Sequence, residues 1–164
     1  MKEKLTVYLE TTIPSYLAAR PSNNLVAAGK QEVTRQWWER RKGKYSLFVS
    51  ELVFEEAGQG DSNAAEKRLA LIDPIESLQV DEEVFRILRV IMASGLIPEK
   101  AAPDATHIAI ATRYALDFLL TWNCTHIANA EILAQIDHYV AEAGYDLPVI
   151  CTPDELFGEE NLNE

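Results

Sequence analysis

Short runs of β-branched and aromatic residues alternate with longer stretches of helical spacing along this chain, and that alternation predicts an α/β fold. Five runs have strand character, at 5–9, 45–49, 75–80, 118–121 and 147–150. In a parallel α/β sheet, right-handed crossovers bring the carboxyl ends of the strands to one edge, and ligands bind in the crevice there. The residues that follow each strand are therefore the first place to search for a functional site.

Residues with capping side chains stand where helices are predicted to begin. Such side chains accept hydrogen bonds from the unpaired amides of a first helical turn. The predicted N-caps are Asn23 or Asn24, Ser50, Asp81 and Asn129, and a further helix is predicted to begin near Pro103–Asp104. The glycine-containing segment 58–61 is predicted to separate two helices.

The length of 164 residues fits one domain with a sizeable core. We predict a single domain over 1–157 and a flexible acidic tail over 158–164. No apolar stretch approaches the roughly 20 residues of a membrane span, and the first residues lack the pattern of a secretory signal, so a cytoplasmic location is expected. Cys124 and Cys151 are too few for a disulfide framework, and both are expected to be reduced and buried.

The net charge of -11 argues against a broad nucleic-acid-binding surface, because Lys and Arg supply most of the affinity for phosphates. The basic residues are unevenly distributed, since 14 of the 15 precede position 101. The densest basic run, 40–44, follows Trp37 and Trp38. Two interpretations stay open for this run: the solvated end of a helix, where cations suit the dipole, or a local phosphate or partner contact in which the aromatic pair stacks.

Acidic residues follow the predicted strands and are expected to meet in one crevice. Glu10 follows the first strand, Glu51 and Glu55–Glu56 follow the second, and Asp104 begins the helix that leads to the fourth. Clustered carboxylates repel one another unless a cation neutralises them. Oxygen ligands without Cys or His favour Mg²⁺ or Mn²⁺. Such an ion assists phosphodiester hydrolysis by lowering the pKa of a bound water.

Each of these acids also has a purely structural interpretation. Asp104 would suit the helix dipole as an anion in a first turn. Glu55 and Glu56 would suit a solvated helix face. Glu10 is harder to explain in this way, because an acid directly after a run of strand-forming residues contributes little to packing.

Four segments carry a resemblance to a known family: 7–17 (VYLETTIPSYL), 50–56 (SELVFEE), 103–111 (PDATHIAIA) and 120–123 (LTWN). In this order they resemble the successive motifs of PIN domains, especially the VapC-like toxins, and they span most of the chain. The resemblance implies a three-layer α/β/α sandwich with a mostly parallel central sheet. It also implies an endoribonuclease whose acidic crevice holds Mg²⁺ or Mn²⁺.

The resemblance assigns the same four positions to catalysis and to metal binding: Glu10, Glu56, Asp104 and Asn123. Glu10 is the longer homologue of the family's usual Asp, and Asn123 replaces an acid by a neutral amide. Glu51 and Glu55 are plausible substitutes for the altered positions. Thr11 and Thr121 would supply hydroxyl contacts to ligands, water or backbone.

Two histidines could reach the same crevice. His107 lies one turn after Asp104, and a supporting structural role is favoured for it because a magnesium site has little use for imidazole. His126 lies three residues after Asn123, and it is either a cap or core residue or a proton relay or phosphate contact.

The resemblance also implies partners. VapC-like toxins act on RNA, pair with a small antitoxin that covers the crevice, and form homodimers. An acidic chain suits a basic partner. The alternative is a catalytically degenerate PIN domain that binds protein or RNA, and the replacements at Glu10 and Asn123 are its support.

Overall fold

A computed structural model describes residues 3–160 and Leu162, and its elements follow the predicted alternation. The strands of this part of the chain are β1 (Thr6–Leu9), β2 (Ser46–Ser50), β3 (Glu76–Leu78), β4 (Phe118–Leu120) and β5 (Val149–Cys151). The helices are α1 (Thr12–Ala18), α2 (Leu25–Arg40), α3 (Glu51–Ala57), α4 (Ser62–Ile72), α5 (Glu82–Ala93), α6 (Ala102–Arg113) and α7 (Ala130–Glu142). Single 3₁₀ turns cover Lys42–Lys44, Glu99–Ala101 and Pro153–Glu155.

The five strands form one parallel sheet in the order β3-β2-β1-β4-β5. From β1 the chain winds outward to β2 and β3, and it then returns to β4 and β5 on the other side of β1. The order therefore reverses between β1 and β4, which is where open α/β sheets bind their ligands. The registers place Val7 opposite both Leu47 and Phe118.

Helices flank the sheet in two groups, as the crossovers of a reversing strand order require. Helices α1, α2, α3 and α4 pack with one another, and α5 packs with both α6 and α7. The central strand is covered on both faces, because the successive residues Val7, Tyr8 and Leu9 are all completely buried. The prediction of a three-layer α/β/α sandwich is confirmed, and its sheet is parallel throughout the described strands.

The predicted helix caps are observed. Asn24, rather than Asn23, accepts a hydrogen bond from the Ala27 amide and begins α2. Ser50, Asp81 and Asn129 cap α3, α5 and α7 in the same way. The side-chain chemistry of these residues was therefore sufficient to locate four helix starts.

Two details differ from the sequence predictions. The last strand begins at Val149 and not at 147, because Pro148 has no amide to donate to the ladder. Cys124 is exposed and not buried, since it lies in the surface turn that follows β4. Cys151, at the end of β5, is buried as expected, and burial raises the pKa of its thiol to about 12.

Positions 161, 163 and 164 of the predicted tail lie outside the described residues, as do positions 1 and 2. The described Glu160 forms ion pairs with Arg40, Arg41 and Lys44. Over the part of the chain that the structure covers, no helix has the length and apolar content needed to cross a bilayer.

Candidate active site

Glu10 lies at the carboxyl end of β1, where the strand order reverses. Its amide still donates to the Leu120 carbonyl of β4 at 3.1 Å, so the ladder fixes its backbone. The side chain is only 4% exposed. Its Oε1 accepts hydrogen bonds from the Thr12 amide (3.1 Å), the Thr12 hydroxyl (2.5 Å) and the Thr121 hydroxyl (2.7 Å). These bonds stabilise a buried carboxylate in one orientation.

Glu56 reaches the same place from α3. Ser50 begins this helix, and Glu56 lies on its inner side while Glu55 is exposed. The Glu56 Oε1 atom accepts a hydrogen bond from the Thr11 hydroxyl at 2.7 Å and contacts Nε2 of His107 at 2.5 Å. Burial acts to raise the pKa of Glu56, but the bonds from His107 and Thr11 outweigh it, so the pKa is lowered overall.

A buried hydrogen-bond chain supports Glu56 from behind. The Tyr8 hydroxyl lies 2.8 Å from the Ser50 hydroxyl and 2.6 Å from Nδ1 of His107, and both contacts are fully buried. One placement of protons satisfies the whole chain: Ser50 donates to Tyr8, Tyr8 donates to Nδ1, and Nε2–H donates to Glu56. Burial raises the pKa of Tyr8 well above its ordinary value, so its hydroxyl keeps the proton that it donates. In this arrangement His107 donates to Glu56 and orients its carboxylate.

Glu10, Glu56 and His107 bring one ligand atom each to within 4.8 Å of one another. The side-chain hydrogen bonds of both carboxylates end on Oε1, so the Oε2 atoms are not engaged by described residues. Mg²⁺ typically binds one or two carboxylates and keeps several waters. The two carboxylates therefore fit Mg²⁺ or Mn²⁺, whereas His107 already has both ring nitrogens engaged by Tyr8 and Glu56.

Asp104 and Asn123 lie beside this cluster and are joined to it by hydrogen bonds. Thr121 donates to Glu10 and accepts from the Asn123 amide at 2.9 Å. The Asn123 Oδ1 atom accepts from the His126 amide at 3.1 Å, and Nδ1 of His126 lies 3.0 Å from Oδ2 of Asp104. A continuous path thus connects Glu10 to Asp104 along the edge of the sheet. Asp104 itself is not among the three residues whose ligand atoms converge.

The proposed substitutes for the altered acids lie elsewhere. Glu51 is exposed and accepts a hydrogen bond from the Val80 amide, and Glu55 is also exposed. Trp122, which follows β4, is half-buried and donates its indole N–H to the Thr34 hydroxyl at 2.7 Å. Its backbone amide donates to the Thr12 hydroxyl at 2.8 Å, and that hydroxyl donates to Glu10, so Trp122 adjoins the crevice.

Sequence reasoning missed the extent of the supporting network. Tyr8 was treated only as a strand residue, and Thr12 was not singled out at all. The signal for His107 was present, because residues three apart on a helix share a face and His107 follows Asp104 at that spacing. No sequence pattern indicates that a tyrosine inside a buried strand donates to that histidine.

Among solved structures, the chain is similar to the crystal structure of VapBC2 from Rickettsia felis bound to a DNA fragment from their promoter. The match has a TM-score of 0.60 and covers 90% of this chain and 98% of the other. This chain has a PIN-like fold. Sequence identity over the match is 12%, so the likeness is one of fold. No protein-family model matches the sequence, and neither does any curated protein.

The PIN-like fold agrees with the geometry of the crevice. In the structure, Glu10 after β1 and Glu56 within α3 converge with His107 of α6, while Asp104 at the start of α6 pairs with His126. Ligands of open parallel sheets bind beside such a reversal of strand order.

Proposed function

We propose that this protein is a metal-dependent endoribonuclease of the PIN/VapC type and the toxin of a toxin–antitoxin pair. The observation that carries the proposal is the convergence of Glu10 and Glu56 within 4.8 Å at the reversal of strand order. Two carboxylates held this close to each other repel unless a cation lies between or beside them. The substrate class follows from the resemblance to VapC-like toxins.

Glu10 and Glu56 would hold Mg²⁺ or Mn²⁺, and Asp104 and Asn123 complete the proposed catalytic set. The ion, when bound, supplies a water of lowered pKa and stabilises negative charge on the scissile phosphate. The protein's own contribution is positioning. Threonine hydroxyls hold Glu10 in one orientation, and His107 holds Glu56. Positions fixed in this way lose little freedom when the substrate binds.

An antitoxin of basic character is the proposed protein partner. The net charge of -11 and the acids around the crevice complement such a surface. The structural neighbour is described as a VapBC2 complex with promoter DNA, which supports a partner of this kind. A homodimer of the chain is proposed on the same resemblance.

The test compares Glu56→Gln with Glu55→Gln. Both changes remove one negative charge from α3, but only Glu56 lies in the cluster, while Glu55 is exposed. Wild-type protein and Glu55→Gln should cleave a mixed RNA pool when Mn²⁺ is added, and Glu56→Gln should not. Equal cleavage by both variants, or cleavage by wild-type protein that EDTA does not abolish, would contradict the proposal.

A catalytically degenerate binding module is the second candidate. It is favoured by the local bonding of Asp104 to His126 and by the use of the Asn123 amide oxygen as a cap for the His126 amide. A module of this kind would bind RNA or a partner protein without cleavage. Calorimetric titration of wild-type protein with Mn²⁺ separates the two, because a module without a metal site should give no saturable heat.

A further inference from the structure

Three cationic side chains converge on the carboxylate of Glu160. Lys44 Nζ lies 2.7 Å from Oε1, Arg41 Nη1 lies 2.8 Å from the same atom, and Arg40 Nη2 lies 3.3 Å from Oε2. The bonds from Lys44 and Arg41 lower the pKa of Glu160 to about 2. Among the described residues, the single carboxylate of Glu160 offsets one of the two positive charges of Arg41 and Lys44. The cluster therefore stays cationic on a chain whose net charge is -11.

Within this cationic cluster of Arg40, Arg41 and Lys44, the side chain of Arg41 is held in a fixed position. Its side chain is only 10% exposed, lies over the Tyr45 ring at 5.8 Å and donates to the Tyr45 hydroxyl at 3.2 Å. Its buried Nε has no hydrogen-bond partner among the described residues. A buried guanidinium with an unused donor is costly unless a further acceptor approaches.

An aromatic cavity adjoins the cationic cluster. Its volume is about 380 Å³, and it is lined by Trp38, Lys42 and Tyr45 together with apolar residues of β2 and α4. The Lys42 ammonium lies 4.1 Å from the centre of the Trp38 ring. Tyr45 borders both the cavity and Arg41, so the two features form one continuous surface. Cations beside aromatic rings are the usual elements of a site for single-stranded nucleic acid.

We propose that Arg40, Arg41 and Lys44 bind a backbone phosphate of single-stranded RNA, with a base entering the Trp38–Tyr45 cavity, and that Glu160 occupies the phosphate position when RNA is absent. This surface precedes β2, whereas the acidic crevice follows β1 and β2. The five residues of β2 separate the two by about 15 Å at about 3.3 Å per residue. The surface is thus a second contact for RNA, and its binding does not depend on cleavage.

The test measures binding of a fluorescent single-stranded RNA by anisotropy in EDTA, where the proposed cleavage cannot occur. Glu160→Gln should bind about two- to fivefold more tightly than Glu159→Gln, which removes the same charge from an exposed neighbour. The salt dependence of binding should steepen by about 0.7 in logarithmic slope for each phosphate newly engaged. Equal affinities for these two variants would overturn the proposal.

A second pair of variants keeps the test decisive if Glu160→Gln unfolds. In the otherwise wild-type chain, Lys44→Glu should weaken RNA binding more than Lys67→Glu, because Lys67 is an exposed lysine on α4, outside the cluster. Equal weakening would show that the effect is one of net charge and would refute the site. A duplex DNA probe that binds as tightly as the RNA would refute the role of the aromatic cavity, since a duplex does not present its bases for stacking. These results do not depend on whether the protein cleaves RNA.

Discussion

Removal of one buried hydroxyl tests the hydrogen-bond chain behind the candidate site. Tyr8→Phe keeps the aromatic ring and deletes only Oη, which lies 2.8 Å from the Ser50 hydroxyl and 2.6 Å from Nδ1 of His107. All three residues are completely buried. Water therefore cannot readily replace the lost partner, and Ser50 and His107 each lose one hydrogen bond.

The expected loss follows from those two contacts. A buried polar group that loses its partner costs about 1–3 kcal/mol. Ser50 still accepts from the Val53 amide, so its share is at the lower end, whereas Nδ1 of His107 loses its partner outright. The free energy of unfolding should fall by about 2–4 kcal/mol in total. For a domain of this size the melting temperature should fall by about 5–15 °C.

Urea unfolding followed by circular dichroism measures this loss, with Tyr114→Phe as the control. The Tyr114 hydroxyl donates to one carbonyl, that of Gln79, in an exposed setting, so its removal should cost less than about 1 kcal/mol. Equal losses in the two variants would refute the reasoning. The imidazole nitrogen spectrum of wild-type protein is an independent check, because a proton on Nδ1 of His107 would contradict the direction of the chain.

Three further predictions concern the crevice, the cationic cluster and the cysteines. Asp104→Asn should weaken Mn²⁺ binding about tenfold, with little change in the melting temperature in EDTA, and Asn123→Asp should tighten Mn²⁺ binding. If calorimetry gives the wild-type Mn²⁺ affinity for both variants, neither residue belongs to the site. The pKa of Glu160 falls from its ordinary 4.5 to about 2 on folding, so its stabilisation is complete above about pH 4.5 and is lost as the pH drops toward 2. The urea midpoints of wild-type protein and Glu160→Gln should converge over that range, and a constant difference would contradict the ion pairs. Cys124 should react with a thiol reagent in the native state and Cys151 only after unfolding, as mass spectrometry would show. Equal labelling of the two cysteines in native protein would contradict the difference in their exposure.

Local chemistry made most of the fold predictable. Ser50 and Asp81 predict helix starts, because each places a short acceptor side chain before a stretch with helical apolar spacing. That side chain accepts a hydrogen bond from an amide of the first helical turn. The apolar residues Val7 and Leu9 predict a buried strand, because a parallel strand between two helical layers is apolar on both faces. The start of β5 was misplaced because a proline in an apolar run still has strand-like neighbours, although it cannot donate to the ladder.

The candidate site was predictable only in part, because the contacts that shape it join residues far apart in the sequence. Glu10 could be named because it follows a strand, and the edge of a parallel sheet gathers such residues. Glu56 was distinguished from Glu51 and Glu55 only by the resemblance to PIN domains. The contacts that hold them join distant positions: Thr121 donates to Glu10 across 111 residues, and His107 reaches Glu56 across 51. A single sequence gives the chemistry of each partner but not which of several hydroxyls or imidazoles will face it. The exposure of Cys124 was missed for the same reason, since its turn is placed by tertiary packing.

The position of β1 at the centre of the sheet has a consequence for biosynthesis. This strand is translated before the other four described strands, yet its neighbour β4 and the Thr121 hydroxyl that holds Glu10 follow 111 residues later. At about 5–20 residues per second, the ribosome needs roughly 5–20 s to supply them. During that interval a nascent chain carries Glu10 and then Glu56 without the assembled pocket. An RNA-cleaving site of this design would therefore stay incomplete on the ribosome until Thr121 has been synthesised.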